Sequence, residues 1–163
     1  RSRWPCLLSR QRHGCLPRIG ETMIALQFRR MVEQVVRAMT GLPRFVPLVT
    51  PLTSTSFDGD SFSTTAATLI DLSAVFGTPA GIKAISCRLI IRDSVAWGTS
   101  GNLAWLGPTS GNAAVNAYSA GGDVLAEVDG VCPCDANGDI YYRVVASGAA
   151  TLDLWIQITG YWI

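Results

Sequence analysis

The stretch Leu152-Asp153-Leu154-Trp155-Ile156-Gln157-Ile158-Thr159 alternates between an aliphatic residue and a residue of another kind at every step. Successive side chains of a β-strand point to opposite faces, so the four aliphatic residues share one face and Trp155 lies on the other. This pattern is typical of a strand in an antiparallel sheet with one face in the core. The same alternation recurs at residues 85–91 and 140–146.

Turn-forming pairs separate these segments and define the number of strands. They include Asp58-Gly59, Gly121-Gly122 and Asn137-Gly138, and we expect strands near residues 45–50, 66–72, 82–93, 102–106, 112–118, 123–132, 139–147 and 151–162. About eight strands are typical of an antiparallel β-sandwich or jelly roll, and we expect no helix among them. Asn137-Gly138 predicts a hairpin between the strands on either side of it. The sequence therefore predicts an all-β fold.

Ahead of the strands, apolar residues recur at spacings of three and four from Ile24 through Phe28 and Met31 to Val35. Together with an N-cap at Thr22 and a stop at Gly41, this predicts an amphipathic helix over residues 22–41. The favoured interpretation is a helix that packs against the β domain of the same chain. The alternative is a short helical bundle formed between copies of the chain. A third interpretation is a helix that lies on a membrane surface. It is disfavoured because Phe28 is the one aromatic residue available as an anchor.

The predicted organisation has four parts. They are an extended basic arm at 1–21, the helix at 22–41, a proline-rich linker or edge strand at 42–54, and a β-sandwich domain at 55–163. The first residue is Arg and methionines follow at 23 and 31, so we expect either a processed chain or a reading frame that extends upstream of its start; a transit peptide is the weaker alternative.

Charge separates the arm and helix from the rest of the chain. Residues 1–40 have eight arginines against two glutamates, a net charge of +6, whereas residues 41–163 have five basic and ten acidic groups, a net charge of −5. A basic arm on an acidic body indicates that the arm meets something negative. The acidic body of a neighbouring copy is the favoured partner, and contact with nucleic acid is disfavoured but left open.

Composition disfavours an enzyme. The chain has one histidine and one lysine among 163 residues, so the groups that most often transfer protons or bind metals are nearly missing. The sole histidine, His13, lies in the arm, and no nucleophile or acid is placed beside it. No apolar run reaches the length of about 18 residues that a membrane-spanning helix needs. We therefore expect no catalytic residues, no cofactor and no membrane span.

Two short segments contain residues that bind metals in other proteins. Cys132-Pro133-Cys134 has no second cysteine pair or nearby histidine, so packing of the two thiols is the expected explanation. Asp135, Asn137 and Asp139 alternate as calcium ligands do, but no glutamate stands at the twelfth place, and a turn explains them equally well. We expect no metal site. Five cysteines, an odd number, favour a reducing compartment over a disulfide framework.

Three segments carry a resemblance to a known class of protein. They are IDLSAVFGTPAGIKA at 70–84, DANGDIYYR at 135–143 and GYWI at 160–163, and they resemble small β-sandwich virion proteins of tailed bacteriophages. The similarity extends over about residues 55 to 163. It implies a structural role on a capsid or tail, with copies assembled symmetrically and no cofactor. Such proteins often hold a neighbouring subunit with an extended terminal arm.

From these observations we expect a non-enzymatic virion protein that is assembled in the host cytoplasm. It would decorate or cement a capsid or form part of a tail or fibre, as a trimer or lattice in contact with other virion proteins. The expected interface residues are Ile24, Phe28, Met31, Val35, Trp155 and Trp162. The alternative is a lectin-like sandwich that binds a surface glycan through aromatic residues of its loops.

Overall fold

The computed structural model describes residues 19–63, 65–95, 102–119 and 122–163. The chain divides into two compact units, Arg1–Leu42 and Pro43–Ile163. The described part of the first unit is one helix, α1, over Ile19–Thr40. It begins three residues before the predicted start, so residues 19–21 are helical instead of belonging to the arm, and Thr22 lies inside the helix. Sequence patterns locate helix ends only to within about two to four residues. The remainder of the arm lies outside the described residues.

The second unit contains nine strands in its described residues, together with a 3-10 turn and a short helix. The strands are β1 Phe45–Leu52, β2 Asp58–Phe62, β3 Thr68–Ile70, β4 Ala84–Asp93, β5 Leu103–Gly107, β6 Val115–Tyr118, β7 Leu125–Pro133, β8 Ile140–Val145 and β9 Leu152–Trp162. The 3-10 turn is Thr55–Phe57 and the helix, α2, is Leu72–Phe76. The all-β sandwich predicted from the alternating segments is thereby confirmed, with one strand more than expected.

The strands form two antiparallel sheets. The five-stranded sheet has the order β1-β9-β4-β7, with β2 also paired to β9, and the four-stranded sheet has the order β3-β8-β5-β6. The pairs are nested, since β2 pairs with β9, β3 with β8, β4 with β7 and β5 with β6. One long hairpin, closed at the β5–β6 turn, is thus rolled so that successive pairs enter opposite sheets. This is a jelly roll.

The core lies between the two sheets and follows from the alternation along β4 and β9. Ile85, Leu89 and Ile91 of β4 and Leu154 and Ile156 of β9 are fully buried. Each of these strands pairs with neighbours on both sides, which makes the pair the centre of the five-stranded sheet. Hydrophobic burial at these positions is the main source of stability, at about 1.5–3 kcal/mol for each large side chain.

A β-bulge changes which residues of β9 face the core. Cys87 is opposite Ile158 and Ser86 is opposite Gly160, so Thr159 has no opposing residue on β4. Beyond this point the alternation reverses, and Tyr161 packs against the core. Trp162 therefore lies on the outer face of the sheet.

Two features differ from the sequence interpretation, and a third, the edge strand within residues 42–54, agrees with one of its two alternatives. Asp58-Gly59 was expected to be a turn but begins β2, because Gly59 has φ +92° and gives a bulge within a strand that continues along β9. A helix, α2, was not expected, although Asp71 caps its first turn and Gly77 ends it in the left-handed conformation. At residues 42–54, β1 occupies the edge beside β9, with Pro47 and Pro51 on an edge strand where proline is tolerated.

The predicted hairpin at Asn137-Gly138 is wrong. The strand before it, β7, belongs to the five-stranded sheet and the strand after it, β8, belongs to the four-stranded sheet. The turn passes between sheets, and Gly138 lies against the backbone of Gly81, where a Cβ would come within 2.8 Å of the Gly81 nitrogen. A short turn signal between two alternating segments cannot distinguish a hairpin from such a crossing.

Candidate interaction surfaces

Helix α1 presents an exposed apolar face. Phe28 is 63% exposed, Met31 is 55% exposed and Val35 is 51% exposed. Their spacing of three and four residues places them on one side of the helix. Three further exposed residues, Val32, Val36 and Met39, widen that side. We call this the α1 apolar face. The helical position of Ile24 agrees with it, but the side chain of Ile24 lies outside the described residues.

The opposite side of α1 is polar. Arg29 Nε donates to Glu33 Oε1 at 3.0 Å, one helical turn away, and both side chains are more than half exposed. An exposed pair at this spacing stabilises a helix by only about 0.3–0.5 kcal/mol. Such pairs do not supply the burial that a helix of this composition needs. Packing of the α1 apolar face against another surface is therefore the expected source of its stability.

Trp155 lies on the outer face of the five-stranded sheet, as predicted, but it is half-buried. Gly59 of the neighbouring strand packs against the indole, and a Cβ there would come within 2.8 Å of Trp155 Cζ2. Arg92 lies on the other side, with Cζ 5.9 Å from the ring centroid. The indole is therefore a part of the sheet's own packing, with limited surface left for a partner.

Trp162 is also half-buried on the outer face, at the other end of β9. Its ring centroid is 4.5 Å from that of Phe45 on β1. Gly160 leaves the space in which the Phe45 ring sits, since a Cβ there would come within 2.5 Å of Phe45 Cζ. The two rings fasten the edge strand to β9, a role in the fold that the sequence alone did not indicate.

Charged groups on the outer face of the five-stranded sheet are paired across strands. Arg88 Nε lies 2.9 Å from Asp129 Oδ1, and the hydrogen bond from Arg88 is the main reason why the pKa of Asp129 lies below its ordinary value. Arg92 Nη2 lies 2.6 Å from Asp153 Oδ2, and Arg92 Nε lies 3.4 Å from Asp123 Oδ1. Each of the two arginines on this face is thus paired with at least one carboxylate, as on a solvated sheet surface.

The same pairing reduces the acidic surface that the body offers to a basic arm. Three carboxylates are paired with arginine. Four more accept hydrogen bonds from backbone N–H groups, namely Asp71, Asp93, Asp135 and Asp139. Among the described residues, Asp58, Asp60 and Glu127 have neither an ion pair nor a side-chain hydrogen bond. They lie on two different strands, β2 and β7. The carboxylates that accept hydrogen bonds from the backbone keep their charge, so the net charge of −5 remains, but only these three of the described acidic side chains are free to form new ion pairs.

Asp93 ends β4 and is the one fully buried carboxylate among the described residues. Its Oδ1 accepts from the Val95 nitrogen at 2.9 Å and from Ser147 Oγ at 2.7 Å. Its Oδ2 accepts from the Ser147 nitrogen at 3.2 Å and from Thr151 Oγ1 at 3.4 Å. The carboxylate thus joins the end of β4 to the β8–β9 connection. Sequence analysis missed it, although the apolar alternation of residues 85–91 leads directly to this inward position.

The Asp135 turn is held by its own side chain. Asp135 Oδ1 accepts from the nitrogens of Asn137 and Asp139, at 2.8 Å and 2.9 Å. Asp139 Oδ1 accepts from the Leu72 nitrogen at 3.1 Å, at the first turn of α2. The carboxylates that alternate as calcium ligands do in the sequence are therefore engaged with backbone N–H groups, in agreement with the turn interpretation.

Three cysteines lie in or beside the core as free thiols, namely Cys87, Cys132 and Cys134. Burial is the largest cause in each case and raises the pKa of Cys87 and of Cys134 to about 12, and it raises the pKa of Cys132 as well. Thiols with a raised pKa are poor nucleophiles and poor metal ligands at neutral pH. Across the part of the chain that the structure describes, no cluster of three or more His, Cys, Asp or Glu side chains could hold a metal ion.

The raised thiol pKa values predict a loss of stability in alkali. The ordinary pKa is 9.0, so the unfolded chain loses these protons first, and the free energy of unfolding should fall as the pH rises from about 9 towards 12. Denaturant titrations at several pH values measure this decline. A Cys134→Ala variant should decline less steeply, and an identical slope for both proteins would contradict the prediction.

Comparisons with known proteins add no family to these observations. No protein-family model matches the chain. A search of curated proteins also found no match. Among the described helices, none has the length and apolar character required to span a bilayer. The class that the fold defines is an antiparallel jelly roll, and function has to be argued from its surfaces.

Proposed function

We propose that this chain is a non-enzymatic structural subunit of a tailed-bacteriophage virion, which decorates or cements the capsid or forms part of a tail or fibre. The observation that carries the proposal is the exposed α1 apolar face, in a chain whose other compact unit is a folded jelly roll. A helix with so wide an uncovered apolar side calls for a partner surface, and a second copy presents the same surface by symmetry. The subunit would therefore act as a homo-oligomer among other virion proteins.

Two further observations support the proposal. Residues 70–84, 135–143 and 160–163 resemble virion β-sandwich proteins, and jelly rolls form many viral capsid domains. Jelly rolls also form lectin domains, so the fold class alone does not separate the two functions. The half-buried Trp155 and Trp162 are packed against neighbouring residues, which argues against them as glycan platforms and also leaves little of their surface for a partner subunit.

Deletion of residues 1–42 tests the proposal, because the chain divides after Leu42. We expect the full chain to form a discrete multimer by light scattering and the deleted form to be a folded monomer. Added salt should weaken the multimer only slightly, since the proposed contact is the α1 apolar face and salt screens charges, not apolar burial. A full chain that stays monomeric at high concentration and low salt would contradict the proposal and favour the binding-module alternative.

A further inference from the structure

The outer face of the four-stranded sheet has a composition unlike that of the other sheet. The register of β3, β8, β5 and β6 places its outward residues in three rows. The rows are Tyr118, Leu103 and Val145; Asn116, Trp105 and Arg143; and Gly107, Tyr141 and Leu69. We call this surface the Trp105 face. Its residues alternate with the buried Ala104, Leu106 and Val144.

The Trp105 face has aromatic rings and a cation but no carboxylate. Tyr118 is 62% exposed, Asn116 and Arg143 are also exposed, and Trp105 is only 8% exposed at the centre. Within the described residues, Arg143 forms neither an ion pair nor a side-chain hydrogen bond. On the other sheet, by contrast, both outward arginines are paired with aspartates. An unpaired guanidinium beside aromatic rings favours an anionic partner.

The dimensions of the face favour a small partner over a folded protein. Neighbouring strands lie about 4.8 Å apart and alternate residues about 7 Å apart, so four strands and three rows cover roughly 14 by 14 Å. That area is far below the roughly 800 Å² that each protein gives to a stable interface. The β5–β6 loop closes one end, because a Cβ on Gly107 would collide with the Asn112 carbonyl.

The single cation selects among small anionic partners. A single-stranded nucleic acid has a phosphate at each nucleotide, and its affinity comes largely from several Lys or Arg contacts. The Trp105 face has one cationic side chain, that of Arg143. A saccharide with a carboxylate matches one guanidinium, which can bind that group through two parallel hydrogen bonds. The apolar C–H side of a sugar ring packs on an aromatic ring, and its hydroxyls suit the amide of Asn116.

We propose that the Trp105 face binds an acidic saccharide, with Arg143 paired to its carboxylate and Tyr118 and Tyr141 packed against its sugar rings. The two tyrosines lie two strands and two rows apart, about 17 Å between their Cα atoms by strand geometry. A single sugar cannot reach both, so the ligand is a short chain. Asn116 hydrogen-bonds a hydroxyl beside Tyr118. The proposal rests on residues of the jelly roll alone and not on the α1 apolar face.

Calorimetric titration of the full chain tests the site. The probes are short oligosaccharides with a single galacturonate, glucuronate or sialic acid residue in an otherwise neutral chain, the methyl ester of the galacturonate probe, and neutral cello-oligosaccharide of equal length. We expect at least one acidic oligomer to bind. The ester and the neutral sugar should bind at least about tenfold more weakly, because they lack the carboxylate. Failure of every acidic oligomer to bind would overturn the proposal.

Three variants locate the binding. Arg143→Gln should weaken the acidic oligomer about tenfold or more, and Tyr118→Ala should weaken both the acidic and the neutral sugar. Arg88→Gln removes a partly exposed arginine from the opposite sheet and should leave binding unchanged. Equal affinity of Arg143→Gln and the parent chain would overturn the assignment. If an oligothymidylate binds more tightly than any acidic sugar, the ligand is a nucleic acid, and the proposal of a saccharide ligand is overturned as well.

Discussion

Asp93→Ala is expected to lower the free energy of unfolding by about 3–4 kcal/mol, a large part of the roughly 5–15 kcal/mol that stabilises a domain. The substitution removes both acceptors of a buried carboxylate. The Val95 nitrogen and the nitrogen and hydroxyl of Ser147 then have no acceptor there. Each buried donor left without a partner costs about 1–3 kcal/mol, and partial access of water reduces the total.

Chemical denaturation followed by tryptophan fluorescence measures this change. Asp93→Asn keeps one acceptor oxygen but turns an amide donor towards the donors of Ser147, so we expect an intermediate loss of about 2 kcal/mol. Asp60→Ala is the matched control, because Asp60 is exposed on β2, and it should change stability by less than about 0.5 kcal/mol. A loss for Asp93→Ala no larger than that of the control would show that the β8–β9 connection does not depend on the carboxylate.

The alternation of β9 explains how much of the fold could be predicted. Leu152, Leu154, Ile156 and Ile158 are all buried, as their period of two requires. The prediction depends on one physical rule, that one face of a strand meets the core, and it needs no knowledge of the neighbouring strands. The same rule predicted β4 and β8. This rule was sufficient to predict that the fold is all-β.

Pairing between distant strands could not be predicted in this way. The Asn137-Gly138 turn has the residues of a hairpin, yet it leads from one sheet to the other, because β7 finds its partner in β4 and β8 finds its partners in β3 and β5. Local turn chemistry fixes the direction of the chain over a few residues only. The choice of sheet depends on packing across the whole jelly roll.

Surface roles were predictable to the extent that they depend on local pattern. The spacing along α1 indicated an apolar face, and Phe28, Met31 and Val35 are exposed together. The outward position of Trp155 followed from alternation, but its cover by Gly59 and Arg92 depends on β2 and β4. The Trp105 face escaped notice because it is assembled from four strands that are distant in sequence.

The double variant Met31→Asp/Val35→Asp is expected to dissociate the multimer, with a fall in association of about hundredfold or more. Both residues lie on the α1 apolar face, and burying two carboxylates in an apolar contact costs several kcal/mol, while each 1.4 kcal/mol is a factor of ten. Light scattering over a range of concentrations measures the change in mass. The jelly roll should remain folded, because it is a separate compact unit.

The matched control is Gln27→Asp/Gln34→Asp, which adds the same charge and a similar loss of helix propensity at two polar positions that flank the α1 apolar face. It should leave the mass of the multimer unchanged. If the helix instead packs on its own body, the apolar-face variant will lose thermal stability and keep the parent mass. That outcome would contradict assembly through α1. If both double variants dissociate the multimer equally, the added charge is the cause and the α1 apolar face is not. Dissociation by the apolar-face variant alone is therefore the result that makes α1 the contact between copies.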